Sequence, residues 1–581
     1  MSRLYIKYHQ RFKIFKNIIL FISFFILVNF FSIQIINSKS YKSEIITKTK
    51  SYKYNKGHRG NIYDRNNNLL AYSIQKCLIW INASTTNLND KNRLINLISN
   101  HLNQPKSKYQ NILDSNAKYL VIEKDLVVQD YRELIENIKN IEQVRIDYYN
   151  HRLYPYNELA AQLIGFTDYQ NQGKYGIEGF FNKILSGSKS LVEYNKTASG
   201  KTIFSQNTTN LPDNGSDIIL TVDIKIQEIL QNQLNEAYLK NKAKSANGII
   251  LNPYNGEILA IASVPDFDLN NYNNLPKDSA DYYYLNRPIS SAYEPGSTFK
   301  IVCFTDAIEN KIHNRKEKYF CENGLYKGRY IDPFKDHDSG YDSLSFSEIF
   351  ANSSNIGTIK IFQELDMKSF YRRIQKFGFG IKSNISLTDE HQGDIKSIQY
   401  YKNNIRDLAS TSIGQSILVT NLQLALAYSS IANGGYMLKP QIIKTINHEH
   451  YSDQLSKPII LYKNMEQRTS DIALSLLEKT VIEGTAKNTY LHSLNIGGKT
   501  GTAEIWDADK KEYSKNEFIS SFASIFPIDN PKYVMIISIE APMYNKRWGG
   551  ESAVPCAKSI IEDIIFYDKE LTNKGINSAK A

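Results

Sequence analysis

The feature that most constrains this chain is a long apolar run near its start, from Ile18 to Ile36, interrupted only by Ser23, Asn29, Ser32 and Gln34. A helix rising 1.5 Å per residue would make this run roughly 28 Å long, about the thickness of the hydrocarbon core of a bilayer. The sequence has no second run of comparable length. We therefore expect the rest of the chain to lie on one side of a membrane.

The flanks of this run favour an anchor that is retained over a signal that is cleaved. A cleaved signal usually has a shorter apolar region and small residues at its exit, whereas the exit here contains Ser38, Lys39 and Ser40. Basic residues lie on both sides, so the positive-inside rule barely decides the orientation. We interpret residues 1–16 as a cytoplasmic tail and 17–36 as a transmembrane signal anchor. A buried core helix is the alternative.

Charge and cysteine content argue against several classes of protein. The formal net charge is +11, yet no basic run interleaved with aromatic residues indicates nucleic-acid binding. Work near anionic phospholipid or cell wall explains the charge equally well. The four cysteines lack Cys-x-x-Cys spacing and histidine pairing, so the sequence predicts neither a zinc site nor a disulfide framework. We expect no metal and no cofactor.

A candidate active site lies in the stretch 293–300. Pro295 and Gly296 predict a tight turn, and the apolar residues that follow predict a buried helix. Ser297 and Lys300 are three positions apart, so their hydroxyl and amine would share one helix face. Ser297 would also lie in the first turn, where unpaired N–H groups and the helix dipole favour developing negative charge. A nucleophile beside a base at a helix N-terminus suits acyl transfer.

Two further motifs accompany it, Ser353-Ser354-Asn355 and Lys499-Thr500-Gly501-Thr502. Each has a plain structural alternative when taken alone, namely a helix cap for the first and an edge strand with a bulge for the second. In this order and rough spacing, the three motifs resemble those of the serine acyltransferases that react with penicillin, a group that includes class A β-lactamases and penicillin-binding proteins.

Residues 59–71 narrow the resemblance, because they are similar to the Arg-Gly-x-Ile-x-Asp-Arg-Asn-Gly-x-x-Leu-Ala motif of class B penicillin-binding proteins. They predict two strands joined by an asparagine turn. Asn67 stands where the family has glycine, and asparagine tolerates a left-handed conformation better than most residues. Further matches lie at residues 152–155, 164–166 and 176–179. The chain is identified as a member of class B.

The resemblance implies a multidomain chain of the α+β and α/β classes. Its expected parts are a single N-terminal transmembrane helix, a mixed α+β non-catalytic pedestal domain at 37–215, a transpeptidase domain at 216–568, and a flexible tail at 569–581. The transpeptidase domain should have a β-lactamase-like central antiparallel sheet flanked by helices.

Local patterns in the sequence predict four elements of this architecture. A polar, turn-rich linker is expected from Asn207 to Ser216, followed by a helix that Asp223 caps. A β-hairpin around an Asn-Gly turn is expected between Gly248 and Ser263. The apolar run from Val534 to Glu540 predicts a central strand.

The resemblance also implies a role for each motif residue in attack on the D-alanyl-D-alanine end of a peptidoglycan stem peptide. Ser297 would be the nucleophile and Lys300 a neutral base, with a pKa lowered by burial and by the charge of Lys499. Ser353 would relay a proton, and Asn355 would hold Lys300 and the substrate amide. Lys499 would keep the local field positive, and the hydroxyls of the Thr500-Gly501-Thr502 segment would bind the substrate's terminal carboxylate. The backbone N–H groups of Ser297 and Thr502 would form the oxyanion hole.

Several alternatives remain open at this point. A β-lactamase or β-lactam sensor is one, although the Glu-x-x-Leu-Asn segment of class A hydrolases is missing; an inactive scaffold in the division complex is another. Within class B, the length and the spacing of residues 164–179 look most like the division-specific D,D-transpeptidases, with the elongation-specific type as competitor. The implied partners are stem peptides, β-lactams, the membrane and a SEDS-type glycosyltransferase, and no nucleic acid. The implied location is the bacterial inner membrane at the septum, with a periplasmic catalytic domain.

Overall fold

A computed structural model of the chain describes residues 2–114, 117–141, 143–196, 202–204, 212–328, 334–336, 340–455, 457–507 and 510–571. The chain divides into two compact units, which are Met1–His58 with Gly187–Asn214, and Arg59–Ser186 with Gly215–Ala581. Part of the predicted linker, at residues 207–211, lies outside the described residues, as does the predicted tail from residue 572 onward.

The first unit contains the apolar segment. Its elements are the helix Ser2–Phe31, a π-helical turn Ser32–Ile36, the helix Ser38–Thr49, and a three-stranded antiparallel sheet of Lys50–Lys56, Lys189–Lys196 and Thr202–Phe204. Tyr8–Ile36 is the one segment of the described chain that is helical, long and apolar enough to cross a membrane. Its side chains are exposed and not packed into a core, so the alternative of a buried core helix is wrong.

The second unit begins with a lobe that spans residues 59–186. Three helices, Leu88–Leu102, Lys106–Leu113 and Arg132–Lys139, pack through one apolar cluster against the strands Leu69–Ile81, Leu120–Val127 and Val144–Leu153. Short helices follow at Ala161–Ile164, Gly176–Phe180 and Asn182–Leu185.

The predicted strand–turn–strand motif is present at the start of this lobe. Strand Ile62–Tyr63 pairs antiparallel with Leu69–Ile81, and Asn67 in the turn has φ +65°. Asp64 holds the turn closed by accepting from the backbone N–H of Asn66 at 2.8 Å and of Asn68 at 2.7 Å. The substitution of asparagine for the family's glycine therefore preserves the left-handed turn, as predicted.

A seven-stranded sheet connects this lobe to the rest of the second unit. Ile62–Tyr63 pairs in parallel with Asp217–Leu220, which pairs with Ile443–Asn447, and Ser452–Gln454 completes that edge. Residues 59–186 and 215–571 therefore share backbone hydrogen bonds, a connection that the sequence did not indicate.

The core of the catalytic region is an antiparallel five-stranded sheet. In spatial order its strands are Ile258–Val264, Ser245–Leu251, Tyr533–Glu540, Glu512–Phe526 and Gly497–Asp507. The predicted strand at 534–540 is indeed the middle one. The predicted hairpin is also confirmed, although its connection runs over residues 252–257 and is longer than two residues, with Gly256 at φ +74°.

Helices cover both faces of this sheet, which explains why its inner strands are apolar without alternation. Ile224–Asn241 and Ala553–Tyr567 pack on one face, in the cluster that contains Ile250 and Ile537. Asp223 caps the first of these helices by accepting from the backbone N–H of Lys225, as predicted.

The opposite face packs against the largest apolar cluster of the protein. The helices of this region are Ala280–Tyr284, Arg287–Ser290, Lys300–Glu309, Phe346–Ala351, Asn355–Phe362, Met367–Lys376, Ile398–Asn403, Ile405–Ser412, Asn421–Ala432 and Gln467–Ile482. Three small two-stranded sheets lie among them, formed by Tyr319–Phe320 with Ser343–Leu344, Leu325–Tyr326 with Phe334–Lys335, and Tyr436–Leu438 with Ile460–Lys463.

The chain stays packed beyond its last helix. Leu571 is buried in the sheet–helix cluster, and Lys532 pairs with both Asp568 and Glu570 at 2.6 Å. The packed chain therefore extends to Leu571, and the flexible tail predicted from residue 569 stays a prediction.

Candidate active site

Ser297 lies in a tight helical turn that leads directly into a buried helix. Gly296–Phe299 is a 3₁₀ turn, and Lys300–Glu309, here called the Lys300 helix, continues it. In a 3₁₀ turn residues three apart are eclipsed, so Ser297 and Lys300 share a face more closely than in an α-helix. Lys300 is fully buried, and Ser297 is 8% exposed.

The Ser353–Asn355 segment joins two helices. The first ends at Ala351, Ser353 has φ +61°, and Ser354 caps the helix Asn355–Phe362, here called the Asn355 helix, by accepting from the Gly357 N–H at 3.0 Å. The cap prediction is thus correct for Ser354. The residues on either side of it contact Lys300.

The Lys300 amine is held by this segment through three contacts. It donates to Ser353 O at 2.5 Å and to Asn355 Oδ1 at 2.8 Å, and it lies 3.2 Å from Ser353 Oγ. The amine is therefore fixed next to the turn that carries Ser297, and Lys300 itself is shielded from solvent.

Lys499 enters the site from the edge of the five-stranded sheet. The strand Gly497–Asp507, here called the Lys499 strand, pairs on one side with Glu512–Phe526 at the edge of the sheet, so the edge strand is confirmed. Its register is regular through the Lys499–Thr502 motif and shifts only between Glu504 and Trp506, so the bulge expected in the motif is absent there. Lys499 is fully buried.

Glycines let the Ser297 turn and the Lys499 strand approach each other. Gly296 has φ +54°, and a Cβ placed on it would lie 2.7 Å from Thr502 O. A Cβ on Gly501 would lie 2.6 Å from Pro295 O and 2.4 Å from Ser521 Oγ. Since real Cβ contacts are longer than this, both positions require glycine for the two segments to touch backbone to backbone.

Burial changes the proton affinity of both lysines. Desolvation lowers the pKa of Lys300 to about 7, although the Asp336 carboxylate acts in the opposite direction. Burial and then the charge of Lys300 hold the pKa of Lys499 well below its usual value. The lowering of the Lys300 pKa by burial agrees with the sequence-based expectation, whereas the charge of Lys499 is not among its causes. Desolvation therefore disfavours the charge of Lys499 as well, and the positive field expected from this residue stays a prediction.

Together these segments line a cavity of about 380 Å³. Ser297, Ser353 and the residues Thr500, Gly501 and Thr502 form part of its wall. The structure thus brings all predicted site residues together, with Lys300, Asn355 and Lys499 directly behind the lining residues.

Sequence reasoning missed several other residues of the cavity wall. Thr485 Oγ1 lies 2.7 Å from Thr500 Oγ1, and the Gly549 N–H donates to Thr502 Oγ1 at 3.0 Å. Tyr341 and Trp548 also line the cavity. Thr485 lies in the short segment Glu483-Gly484-Thr485-Ala486, which by itself assigns it no role.

The fold and the site define the class of protein. A β-lactamase-like sheet with a Ser-x-x-Lys turn, a Ser-x-Asn segment and a Lys-Thr-Gly strand around one cavity is the architecture of the penicillin-recognising serine acyltransferases. Residues 248–562 match the penicillin binding protein transpeptidase domain, and residues 54–220 match the penicillin-binding protein dimerisation domain. The chain belongs to the class B penicillin-binding proteins. As such it is a transpeptidase that acts on peptidoglycan and binds β-lactams.

Individual relatives support the assignment. The chain is 32% identical over 422 residues to "Stage V sporulation protein D" of Bacillus subtilis, covering 71% of this chain and 63% of that protein. It is 29% identical over 567 residues to "Peptidoglycan D,D-transpeptidase FtsI" of Buchnera aphidicola subsp. Baizongia pistaciae, covering 96% and 95%. The structure of "Penicillin Binding Protein 2X from Streptococcus thermophilus" matches with a TM-score of 0.77 at 23% identity, over 90% of this chain and 81% of that one, and so supports the fold.

Proposed function

We propose that this protein is a division-specific D,D-transpeptidase that cross-links stem peptides through an acyl-enzyme on Ser297. The observation that carries the catalytic part is the fully buried Lys300 amine, held by Ser353 and Asn355 beside the Ser297 turn. A lysine with a pKa of about 7 can accept the proton of Ser297 near neutral pH.

The other site residues take the following roles in this proposal. Ser353, within 3.2 Å of the Lys300 amine, relays the proton to the departing D-alanine amine. The Thr500 and Thr502 hydroxyls bind the substrate's terminal carboxylate, and the Ser297 and Thr502 backbone N–H groups stabilise the oxyanion, each typically worth roughly 3–4 kcal/mol of barrier. An anionic substrate beside Lys499 raises the pKa of its amine and favours its charge. The positive field would then form on binding.

A penicillin adduct tests the catalytic assignment. Full-length protein is incubated with a fluorescent penicillin, digested and analysed by mass spectrometry, together with Ser297→Ala and, as a matched control, Ser291→Ala outside the cavity. We expect an adduct on Ser297 in the wild type and in the control, and none in Ser297→Ala. Rapid hydrolysis of the adduct would favour a β-lactamase or sensor, and an adduct on a different residue would remove Ser297 from the role.

The division role rests on a different observation. The Buchnera relative named FtsI aligns with nearly the whole chain, including the dimerisation domain and the segment before it, and not with the catalytic domain alone. We propose a single-pass protein of the inner membrane with the catalytic domain in the periplasm, located at the septum by a SEDS-type glycosyltransferase and other division proteins. The proposed parts are a cytoplasmic tail at 1–16, a transmembrane anchor at 17–36, a pedestal domain at 37–215 and a transpeptidase domain from 216, whose packed chain extends to Leu571.

The proposed division role can be tested by depleting the protein and by building a chimera. Loss of the protein should give cells that elongate without dividing. Exchange of residues 1–220 with those of an elongation enzyme should move a fluorescent fusion away from mid-cell, while the reverse exchange should bring one there. Round cells that still divide after depletion would assign the protein to elongation and leave the catalytic proposal intact.

A further inference from the structure

Asp336 binds the start of the Asn355 helix from a segment distant in sequence. Its Oδ1 accepts from the backbone N–H groups of Asn355 at 2.5 Å and Ile356 at 3.1 Å, and its Oδ2 accepts from Ser354 Oγ at 2.8 Å. The first turn of a helix has N–H groups without intrahelical partners, and a carboxylate there is favoured by the helix dipole. One side chain thereby fixes two of the three residues of the Ser-x-Asn motif.

The segment that carries Asp336 is itself anchored. Phe334–Lys335 pairs with Leu325–Tyr326, and Phe334 is buried. The Asp336 N–H donates to Gly324 O at 3.2 Å. The carboxylate is therefore presented to the Asn355 helix by a small sheet and not by a free loop end.

The same segment sets the orientation of the Asn355 side chain. Asn355 Nδ2 donates to Lys335 O at 2.9 Å, so its Oδ1 is the atom turned toward the Lys300 amine, at 2.8 Å. A chain of contacts therefore runs from residues 335–336 through Asn355 to Lys300.

We infer that Asp336 is a positioning residue of the transpeptidase reaction, which holds Asn355 and Ser354 in register and keeps a negative charge near Lys300. The inference rests on the proposed catalytic roles of Ser297 and Lys300. Asp336 is not one of the residues that line the cavity. It acts through the Asn355 helix and through its charge.

The charge has its own consequence for the proton affinity of Lys300. The groups whose charge acts on the pKa of Lys300 are Asp336 from the 334–336 segment and Cys303 one turn along the same helix. The Lys300 charge in turn lowers the pKa of Lys499. Desolvation lowers the pKa of Lys300, and Asp336 is the largest opposing influence. Removal of the Asp336 charge should therefore lower the pKa of Lys300 further.

The test separates charge from hydrogen bonding with two variants of the full-length protein. Asp336→Asn removes the charge but keeps an oxygen that can accept from the helix, whereas Asp336→Ala removes both. Asp366→Asn is the matched control, because Asp366 caps another helix by accepting from the Ser369 N–H at 2.9 Å and is outside the site. The readout is the rate constant of acylation by a fluorescent penicillin between pH 5.5 and 9.

In Asp336→Asn we expect the half-maximal pH to move down by roughly one unit, the usual effect of a nearby opposite charge. In Asp336→Ala we expect the same downward shift of the midpoint together with a loss on the order of a hundredfold on the high-pH plateau, as for a misplaced catalytic group. In Asp366→Asn we expect no change. Should Asp336→Ala fail to fold, the Asp336→Asn profile decides alone.

An Asp336→Asn profile with the wild-type midpoint would overturn the inference, even if the rate falls by the same factor at every pH, because a merely structural role does not move the midpoint. Wild-type protein that forms no Ser297 adduct would instead overturn the proposed function on which the inference depends. The two failures are therefore distinguishable.

Discussion

The pH dependence of acylation follows from the burial of Lys300. An ordinary lysine has a pKa of 10.5, and burial lowers that of Lys300 to about 7. At pH 7.5 about three quarters of Lys300 would be neutral, against about one molecule in a thousand for an ordinary lysine. At this pH the neutral form that the proposed mechanism needs is thus close to a thousandfold more abundant for Lys300 than for an ordinary lysine.

The sign of the effect is set by which form acts as the base. In the proposed mechanism the neutral amine takes the Ser297 proton, so the rate should rise with pH through the pKa of Lys300. We expect a tenfold rise per pH unit below about pH 6, a midpoint near pH 7, and a plateau above about pH 8.

The assay measures the second-order rate constant of acylation with a fluorescent penicillin at limiting concentrations, in buffers of constant ionic strength. Lys300→Arg is the control, because an arginine is not deprotonated in a protein; it should lose the activity and the pH dependence together. A rate that is flat from pH 5.5 to 8, or a midpoint above pH 9, would refute the assignment of Lys300 as a base prepared by burial.

Two further substitutions test the packing of the second unit. Gly501→Ala should cost roughly 1–3 kcal/mol of stability and slow acylation, because its Cβ would meet Ser521 Oγ at 2.4 Å; normal acylation would show that the strand can move away freely. Glu178→Ala should lower the free energy of unfolding by roughly 3–5 kcal/mol in denaturant titration, because it leaves the buried Arg59 and Arg152 without their shared carboxylate; a loss below about 1 kcal/mol would contradict this.

Local chemistry explains what could be predicted from the sequence. The Asn67 turn, the Asp223 cap and the 534–540 strand each depend on residues within a few positions of one another. The three catalytic motifs were found in the same way, because each specifies its own turn or strand. Their convergence on one cavity came from the resemblance and not from the spacing.

Contacts between distant segments explain what was missed. Arg59, Arg152 and Glu178 each stood in a recognisable motif, yet nothing in the sequence indicated that Glu178 accepts from Arg59 Nε at 2.8 Å and from Arg152 Nε at 2.6 Å. The parallel pairing of Ile62–Tyr63 with Asp217–Leu220 was hidden for the same reason. A strand this short carries too little pattern to reveal its partner.

The proton affinity of Lys300 is the clearest example of a property that the sequence locates but does not determine. Two of its three determinants arise outside its own helix, namely the burial of the amine among packed helices and the Asp336 carboxylate. Cys303, one turn away, is the only local one. A Ser-x-x-Lys pair at a helix start therefore becomes a nucleophile and its base only when distant segments remove water from the lysine and limit the charges around it.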